Sequence, residues 1–274
     1  MPDSLDAQII KDAAAVFSRG EKMQLTYSVR NTHRAVGTRL SSEITRTFGM
    51  DKLADGHVTV RLRGSAGQSL GAFLCKGITL EVFGDANDYV GKGLSGGTIV
   101  VRPVVSSPLA SQENTIIGNT VLYGATSGRL FAAGQAGERF AVRNSGATVV
   151  VEGCGANGCE YMTGGIAVVL GAVGANFGAG MTGGMAFVYD AGASFDRRAN
   201  GDSIVWQRLA SAHWEAVLKN LVRAHAVATD SNWSQGILDD WDRARTKFWQ
   251  VIPKEMLERL PHALDDSEEL QAAE

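Results

Sequence analysis

The chain has 274 residues and a formal net charge of −3, with 45% hydrophobic and 20% charged residues. This balance excludes a mainly disordered chain, and the slightly acidic charge argues against a nucleic-acid-binding domain. Its 33 glycines beside only 5 prolines exclude collagen and indicate many tight turns within an ordered structure.

The N-terminal segment, residues 1–50, is predicted to lead into the main fold through a helix and a strand. Apolar residues recur at helical spacing over residues 5–18. Asp3 or Ser4 can cap the start of this helix, and Gly20 ends it. Residues 23–29 alternate apolar with polar side chains, which predicts a strand.

Residues 51–200 contain an internal repeat in which a small or polar residue and a glycine precede a short run of strand-forming residues. The repeat glycines are Gly56, Gly77, Gly96, Gly128, Gly146, Gly164 and Gly183, at intervals of 21, 19, 32, 18, 18 and 19 residues. A repeat of about 19 residues with one strand is too short for a βαβ unit, which needs about 30 residues, or for a propeller blade, which needs about 40. The repeat therefore predicts an all-β fold, a parallel β-helix of about seven coils. The long interval holds an extra segment, residues 106–118, which is an insertion or a degenerate coil.

The glycines of the repeat are predicted to turn the corners of the coils, where a positive φ or a close backbone approach excludes larger residues. The structural glycines proposed on this basis are Gly91, Gly93, Gly96, Gly128, Gly146, Gly164 and Gly183. Because the ends of a strand stack are exposed edges, the N-terminal helix and the C-terminal helices are expected to cover them.

The C-terminal segment, residues 201–274, differs in composition, since it holds all five tryptophans and only two glycines. Apolar spacing predicts helices over residues 203–227 and 234–250, with Pro253 ending the second. The tail after Pro261 is acidic and expected to fray.

Several motifs in the chain have a functional and a structural interpretation. G-x-G-x-x-G occurs at residues 91–96, 153–158 and 178–183, but a dinucleotide site needs a helix after the glycines, whereas a strand-forming run follows the first and third. Corner glycines are the favoured interpretation. Cys75, Cys154 and Cys159 lack the dense spacing of an iron–sulfur site, so buried structural thiols are expected rather than a metal centre. The five histidines form no metal-binding or catalytic motif.

The cellular setting is inferred from the cysteines and the apolar runs. Three cysteines give no disulfide framework, which favours a reducing compartment. No signal-peptide pattern is present, and the apolar runs are too short to span a bilayer. A cytoplasmic protein without nucleic-acid or membrane partners is expected.

Residues 64–73 (GSAGQSLGAF) and 84–97 (GDANDYVGKGLSGG) carry a specific resemblance, which continues through residues 30–41, 118–147, 161–171 and 176–190. Together with the ending from His225 to Leu260, these runs make the chain similar to the C-terminal GXGXG domain of the glutamate synthase large (alpha) subunit. The resemblance covers roughly residues 5–261. It implies a right-handed parallel β-helix.

In that family the large subunit hydrolyses glutamine, and the ammonia passes through a tunnel to react with 2-oxoglutarate. The resulting iminoglutarate is reduced by FMN, with electrons arriving through an iron–sulfur cluster from a small FAD-containing subunit that oxidises NADPH. This chain is expected to bind none of these cofactors. The family's catalytic cysteine is N-terminal, whereas Met1 and Pro2 stand here, and Cys75, Cys154 and Cys159 do not match the cluster pattern. No catalytic, cofactor-binding or metal-binding residue therefore transfers.

What the resemblance implies is a structural role: a rigid spacer that holds the glutaminase and synthase domains in register. Whether the chain is a fragment or a separate subunit is open, and so is the electron donor. Two alternatives are a protein related to the β-helical subunit of formylmethanofuran dehydrogenase and a left-handed β-helix acyltransferase. The acyltransferase would need an aliphatic residue at every sixth position rather than the contiguous runs present here.

A docking surface is predicted where polar residues and glycines are densest, at residues 30–37, 64–69 and 87–93. The proposed interface residues are Arg30, Asn31, His33, Arg34, Gln68, Asn87, Asp88 and Tyr89. Arginine suits this role because its guanidinium group pairs with carboxylates across an interface.

Overall fold

A computed structural model describes residues 4–266 and begins with the elements α1 (Leu5–Asp12), α2 (Ala14–Arg19), β1 (Met23–Val29) and α3 (Thr38–Phe48). The predicted N-terminal helix is present, but it is interrupted at Ala13, whose ψ of 14° is not helical. Ser4 caps α1 by accepting a hydrogen bond from the Ala7 N–H. Ile9, Ala13 and Val16 are all buried in the core.

Helix α3 was not predicted, because its start is fixed by a residue distant in sequence. The carboxylate of Asp6 accepts hydrogen bonds from the N–H groups of Gly37 (2.7 Å), Arg39 (2.7 Å) and Leu40 (3.3 Å). Asp6 thereby satisfies donors that the first turn of a helix leaves unpaired. No local capping residue signals this helix, since its N-terminal flank is Gly37.

The coils are formed by β2 (Val58–Ala66), β3 (Ile78–Ala86), β4 (Ser95–Arg102), β5 (Thr115–Ile117), β6 (Ser127–Ala136), β7 (Ser145–Cys154), β8 (Thr163–Val169) and β9 (Gly183–Tyr189). Strands β2, β3, β4, β6, β7, β8 and β9 pair in parallel in that order. In-register apolar residues form an interior stack of Val60, Leu80, Ile99, Leu130, Val149, Ala167 and Ala186. The predicted parallel β-helix of about seven coils is confirmed.

The extra segment between β4 and β6 is an insertion inside one coil. Strand β5 pairs with both β3 and β6 through Ile117, which lies opposite Ala86 and Ala136. It therefore takes the place of the missing second half of β4. Residues 103–114 leave the coil between these two half-strands, and Val105 and Leu109 are exposed on this loop.

The C-terminal segment contains β10 (Ile204–Arg208), α4 (Ala212–Thr229), α5 (Asn232–Asp239), α6 (Trp241–Ala244) and β11 (Phe248–Pro253). The predicted helix over residues 203–227 is therefore wrong at its start, where β10 forms. The predicted helix over residues 234–250 is interrupted at Asp240 and wrong at its end, where β11 forms. Strand β11 pairs antiparallel with β9, and β10 pairs antiparallel with β11. Tertiary pairing of their β-branched and aromatic residues decides these segments.

The two ends of the β-helix are closed differently. At the N-terminal end β1 pairs in parallel with the edge of β2. Ile9 of α1 and Leu40 and Ile44 of α3 join the interior core, so helices cover the core at this end as predicted. At the C-terminal end the same core is closed by Phe195 and Ile204, with partly buried Trp206 and Trp249 packed against it. The prediction that the Trp-rich helices cover this end is wrong, because strands do so.

Helices α4 to α6 pack instead on the outer face of the sheet. Their buried side chains, among them Trp214, Leu218, Val222, Ile237 and Trp241, form a second cluster with Phe131, Val150, Val168 and Phe187 of the strands. Because each outer segment shares a hydrophobic cluster with the β-helix, the division at residues 50 and 200 stays a prediction. The acidic tail from residue 267 onward lies outside the described residues.

A buried polar cluster joins α4 and the start of α5 to β7. Glu152 Oε1 lies 3.2 Å from His225 Nε2 and accepts a hydrogen bond from the Ser231 hydroxyl. Glu152 and His225 are both 0% exposed. Because a buried charge without partners is costly, this cluster ties the C-terminal helices to one position on the sheet.

Asp190, directly after β9, holds the C-terminal end together, and the stability that it provides is expected to depend on pH. Burial alone would raise its pKa, but the N–H groups of Ser194 and Phe195 and the Trp249 indole donate to the carboxylate, and the pKa lies below the ordinary 3.8. A lowered folded-state pKa gives stability that is present above pH 3.8 and lost as the pH falls through the folded value.

We expect Asp190→Asn to lower the free energy of unfolding by about 1–2 kcal/mol at pH 7, because charge-assisted hydrogen bonds are lost. The difference from the wild type should shrink below about pH 4. Urea unfolding of both proteins at pH 7 and pH 3 measures it. A difference of the same size at both pH values would contradict this role of the carboxylate.

Candidate docking surface

The coils turn at a recurring corner in which alternate residues have positive φ. Six corners share this pattern: Ser69, Gly71, Phe73; Tyr89, Gly91, Gly93; Thr120, Leu122, Gly124; Arg139, Ala141, Arg143; Asn157, Cys159, Tyr161; and Asn176, Gly178, Gly180. A G-x-G-x-G sequence suits this conformation because glycine adopts positive φ without steric cost. Only some of these positions are occupied by glycine, and the residues at the others adopt a strained backbone conformation.

Hydrogen bonds between neighbouring coils hold these corners in place. The first residue of a corner donates to the next coil, as in Ser69 N–H to Asp88 O and Tyr89 N–H to Asn119 O, both 2.9 Å. The middle residue donates back, as in Leu122 N–H to Val90 O at 2.8 Å. Left-handed backbone costs a non-glycine residue roughly 1–2 kcal/mol. Paired backbone groups and the burial of the middle side chains offset this cost.

The predicted structural glycines divide into two classes. Gly91, Gly93, Gly96 and Gly128 have positive φ values of 65°, 63°, 110° and 102°. The others, Gly146, Gly164 and Gly183, do not have positive φ, but a Cβ atom there would lie closer than 3.0 Å to a carbonyl oxygen of the preceding coil. At these three positions the constraint is close approach between coils.

The structure brings the predicted segment 30–37 against the first corners. Asn87 Nδ2 donates to Asn31 Oδ1 at 2.8 Å, and Ala35 N–H donates to Gln68 O at 2.8 Å. His33 lies beside Arg30, whose backbone N–H donates to His33 Nδ1 at 3.3 Å. The eight predicted interface residues thus share one edge of the β-helix, which we call the polar edge.

These residues differ in what they can offer a partner. Asp88 Oδ1 accepts from both the backbone N–H (2.8 Å) and the side-chain amide (3.2 Å) of Asn119, so its carboxylate is engaged within the domain. Arg30 and Arg34 are exposed, and within residues 4–266 neither guanidinium has a hydrogen-bond or ion-pair partner. These two cations are the groups of the polar edge best placed to pair with carboxylates of another surface.

Sequence reasoning missed a group of aromatic residues along the same corners. Phe73, Tyr123 and Tyr161 are exposed, and Phe73 and Tyr161 occupy third positions with positive φ. The ring of Phe73 covers Gly93 of the next coil, and the ring of Tyr161 covers Gly180. Aligning each corner with the G-x-G-x-G pattern would have shown from the sequence that these aromatic residues lie at corners.

The three cysteines are buried. Burial raises the pKa of the Cys154 thiol to about 12 and also raises that of Cys159, so both stay protonated near neutral pH. Among the described residues no group of three or more His, Cys, Asp and Glu side chains is arranged to hold a metal ion. In the same part of the chain no helix has the length and hydropathy needed to cross a bilayer.

Residues 6–254 match the family model described as the GXGXG motif. The chain belongs to the GXGXG family. The corners with alternating positive φ are the structural form of that motif here, and the three G-x-G-x-x-G runs lead into strands or turns rather than helices.

This GXGXG chain is similar to parts of much longer proteins. It is 68% identical over 95% of its length to the large chain of glutamate synthase [NADPH] of Azospirillum brasilense, covering 17% of that protein. It is 44% identical over 97% of its length to glutamate synthase [NADH] of Schizosaccharomyces pombe, covering 13%. With the ferredoxin-dependent glutamate synthase of Pyropia yezoensis it shares 51% identity over 83% of its length, covering 15%. The chain therefore spans about a sixth of the relatives it matches.

Proposed function

We propose that this chain is the C-terminal structural domain of a glutamate synthase large chain and acts in the cytoplasm. It holds a glutaminase domain and an FMN-containing synthase domain at a fixed separation, so that ammonia released from glutamine reaches 2-oxoglutarate without loss. FMN and the iron–sulfur cluster lie in other parts of the large chain. FAD lies in a small subunit that oxidises NADPH.

The observation that carries this proposal is the high identity over nearly the whole chain to only a sixth of each relative's length. The relatives are named for three different electron donors, NADPH, NADH and ferredoxin. A role common to all three favours a part of the enzyme that does not select the donor.

The architecture suits a spacer. Interior side chains and corner hydrogen bonds link each coil to its neighbours along the whole stack. A stack in which each coil is bonded to the next resists bending and stretching. A tunnelled intermediate requires this property, because the two reaction sites must stay at one distance.

The polar edge is the surface proposed to dock on the rest of the large chain. Arg30 and Arg34 supply guanidinium groups there that have no partner in the described part of the chain, and Asn31, Gln68, Asn87 and Tyr89 form its surroundings. Glycine corners beside this edge allow another backbone to approach closely.

We expect Arg34→Ala in the full enzyme to raise the ratio of glutamine consumed to glutamate formed. The two half-reactions should be less affected than their coupling, because no catalytic group is removed. Arg63→Ala is the matched control, since Arg63 is also exposed and without an ion-pair partner among residues 4–266 but lies on the outer face of β2. An unchanged ratio in the Arg34 variant, with unchanged subunit assembly, would contradict the docking assignment.

A further inference from the structure

The four most exposed aromatic side chains among residues 4–266 all lie on the corners of the β-helix. Their exposed fractions are 55% for Phe73, 39% for Tyr89, 38% for Tyr123 and 51% for Tyr161. Single exposed apolar residues are ordinary, but a group of aromatic side chains on one surface marks an interaction site. With Lys92 and Arg143, which lie between them, we call this group the aromatic ridge.

Backbone hydrogen bonds connect the ridge residues of successive coils. Phe73 N–H donates to Lys92 O at 2.8 Å, and Gly93 N–H donates to Tyr123 O at 2.9 Å. Because coils stack at about 4.8 Å, the four steps from the coil of Phe73 to that of Tyr161 span about 19 Å. Further along, Ala141 N–H donates to Val121 O and Arg143 N–H donates to Glu160 O, so the corners that carry the ridge are joined coil to coil.

Three of the aromatic residues keep an unfavourable backbone conformation at the surface. Phe73, Tyr89 and Tyr161 have φ values of 55°, 61° and 52°. A bulky residue rarely adopts this region, and such strain clusters where a surface has a function. Neighbouring coils have glycine at the third corner position in Gly93, Gly124 and Gly180. The fold therefore accepts glycine at the third position, and the side chains of Phe73 and Tyr161 are not needed to make the corner.

The charge of the ridge restricts the partner. Lys92 lies 6.0 Å from the Tyr89 ring and Arg143 lies 5.6 Å from the Tyr161 ring, as cation–π pairs. Neither cation has an ion-pair partner in the described part of the chain, whereas the nearby Glu160 carboxylate is paired with Arg139 at 3.0 Å. The free charge within the ridge is positive. An apolar surface that bears carboxylates complements it.

We propose that the aromatic ridge is a second docking surface, which buries against an apolar, carboxylate-bearing face of the longer polypeptide that carries this domain. This inference rests on the proposed function, since the chain spans only about a sixth of its relatives. Aromatic residues with flanking cations supply the buried contacts that stabilise such interfaces most. The ridge adds apolar contact beside the polar edge.

Hydroxyl-radical footprinting of aromatic side chains tests the proposal. It compares the purified 274-residue chain with the full-length large chain that carries it. We expect labelling of Phe73, Tyr123 and Tyr161 to be about fivefold slower in the full-length protein, as for residues in an interface core. Labelling of the isolated chain should not depend on its concentration.

Two variants of the full-length protein sharpen the test. Lys92→Glu with Arg143→Glu should restore fast labelling of the ridge, whereas the control Lys22→Glu with Arg63→Glu should not. Tyr161→Asn places a residue that tolerates positive φ at a corner position. This variant should melt at the same temperature as the wild type or higher. It should nevertheless increase the labelling of Phe73 and Tyr123 in the full-length protein.

Three outcomes would overturn the proposal. If Phe73, Tyr123 and Tyr161 label equally fast in both proteins while residues 30–34 of the polar edge are protected, the ridge is no interface, and the proposed function stands. If no surface of the domain is protected in the full-length protein, the proposed function fails with it. If protection of the ridge in the isolated chain rises with concentration, its partner is a second copy of this chain.

Discussion

Gly183→Val is expected to destabilise the domain by at least about 3 kcal/mol. A Cβ atom at Gly183 would lie closer than 3.0 Å to the carbonyl oxygen of Thr163, which belongs to the backbone of the adjacent strand. That backbone cannot move without breaking the pairing of β8 with β9. The expected result is a large fall in the thermal midpoint.

Gly91→Val tests the other class of glycine. Here φ is +65°, and a Cβ atom would lie 2.8 Å from Leu122 Cδ2. The matched control is Gly236→Ala in helix α5, where nothing lies within 4 Å and where alanine should stabilise the helix by about 0.8–1 kcal/mol. Thermal melts of Gly91→Val and Gly183→Val that coincide with the wild type would show that the coils do not restrict these positions.

Glu152→Leu is expected to lower the free energy of unfolding by about 3–5 kcal/mol, because it removes one partner of a buried pair. His225 and the Ser231 hydroxyl would lose their shared partner in a fully buried site. The isolated substitution His225→Leu should also be strongly destabilising, since it leaves the Glu152 carboxylate buried without that partner.

The double variant Glu152→Leu with His225→Leu provides the control for this pair. Replacing both partners by apolar groups is far less costly than removing one. The double variant should therefore lose less stability than the two single variants lose together. Urea unfolding followed by tryptophan fluorescence reports this face directly, because Trp214 and Trp241 belong to its cluster. Strictly additive losses would contradict the coupling.

The regular part of the fold could be predicted from sequence because one physical constraint recurs. Coils of similar length need a glycine or small residue at the same place, followed by an in-register strand, and this produces the repeat at Gly56 to Gly183. All seven strands predicted from it are present. The insertion was visible as one long interval.

The parts that were missed depend on contacts between distant residues. Asp6 caps α3 over more than 30 positions, and Glu152 meets His225 over 73 positions. The predicted helix over residues 234–250 takes in residues 248–250 from the spacing of apolar residues, although the run FWQVI at 248–252 is also strand-like. Pairing of β11 with β9 decided between the two.

The corners show the same limit for the candidate site. Leu122 and Ala141 adopt positive φ because the coil ladder fixes them, and nothing in their own propensity indicates it. The polar edge could be inferred from polar and glycine-rich runs. The corner positions of Phe73 and Tyr161 could be inferred from the G-x-G-x-G pattern. Their grouping with the other ridge residues could not, because these residues lie on different coils and become neighbours only when the coils stack.

The most direct test of the spacer account is the structure of the full-length large chain that contains this domain. The quantity to measure is the surface area that the domain buries against each catalytic domain. The account predicts an interface of at least about 600 Å² with both the glutaminase and the synthase domain, as for ordinary interdomain contacts. A domain that touches only one of them, or neither, would contradict the claim that it holds the two sites in register.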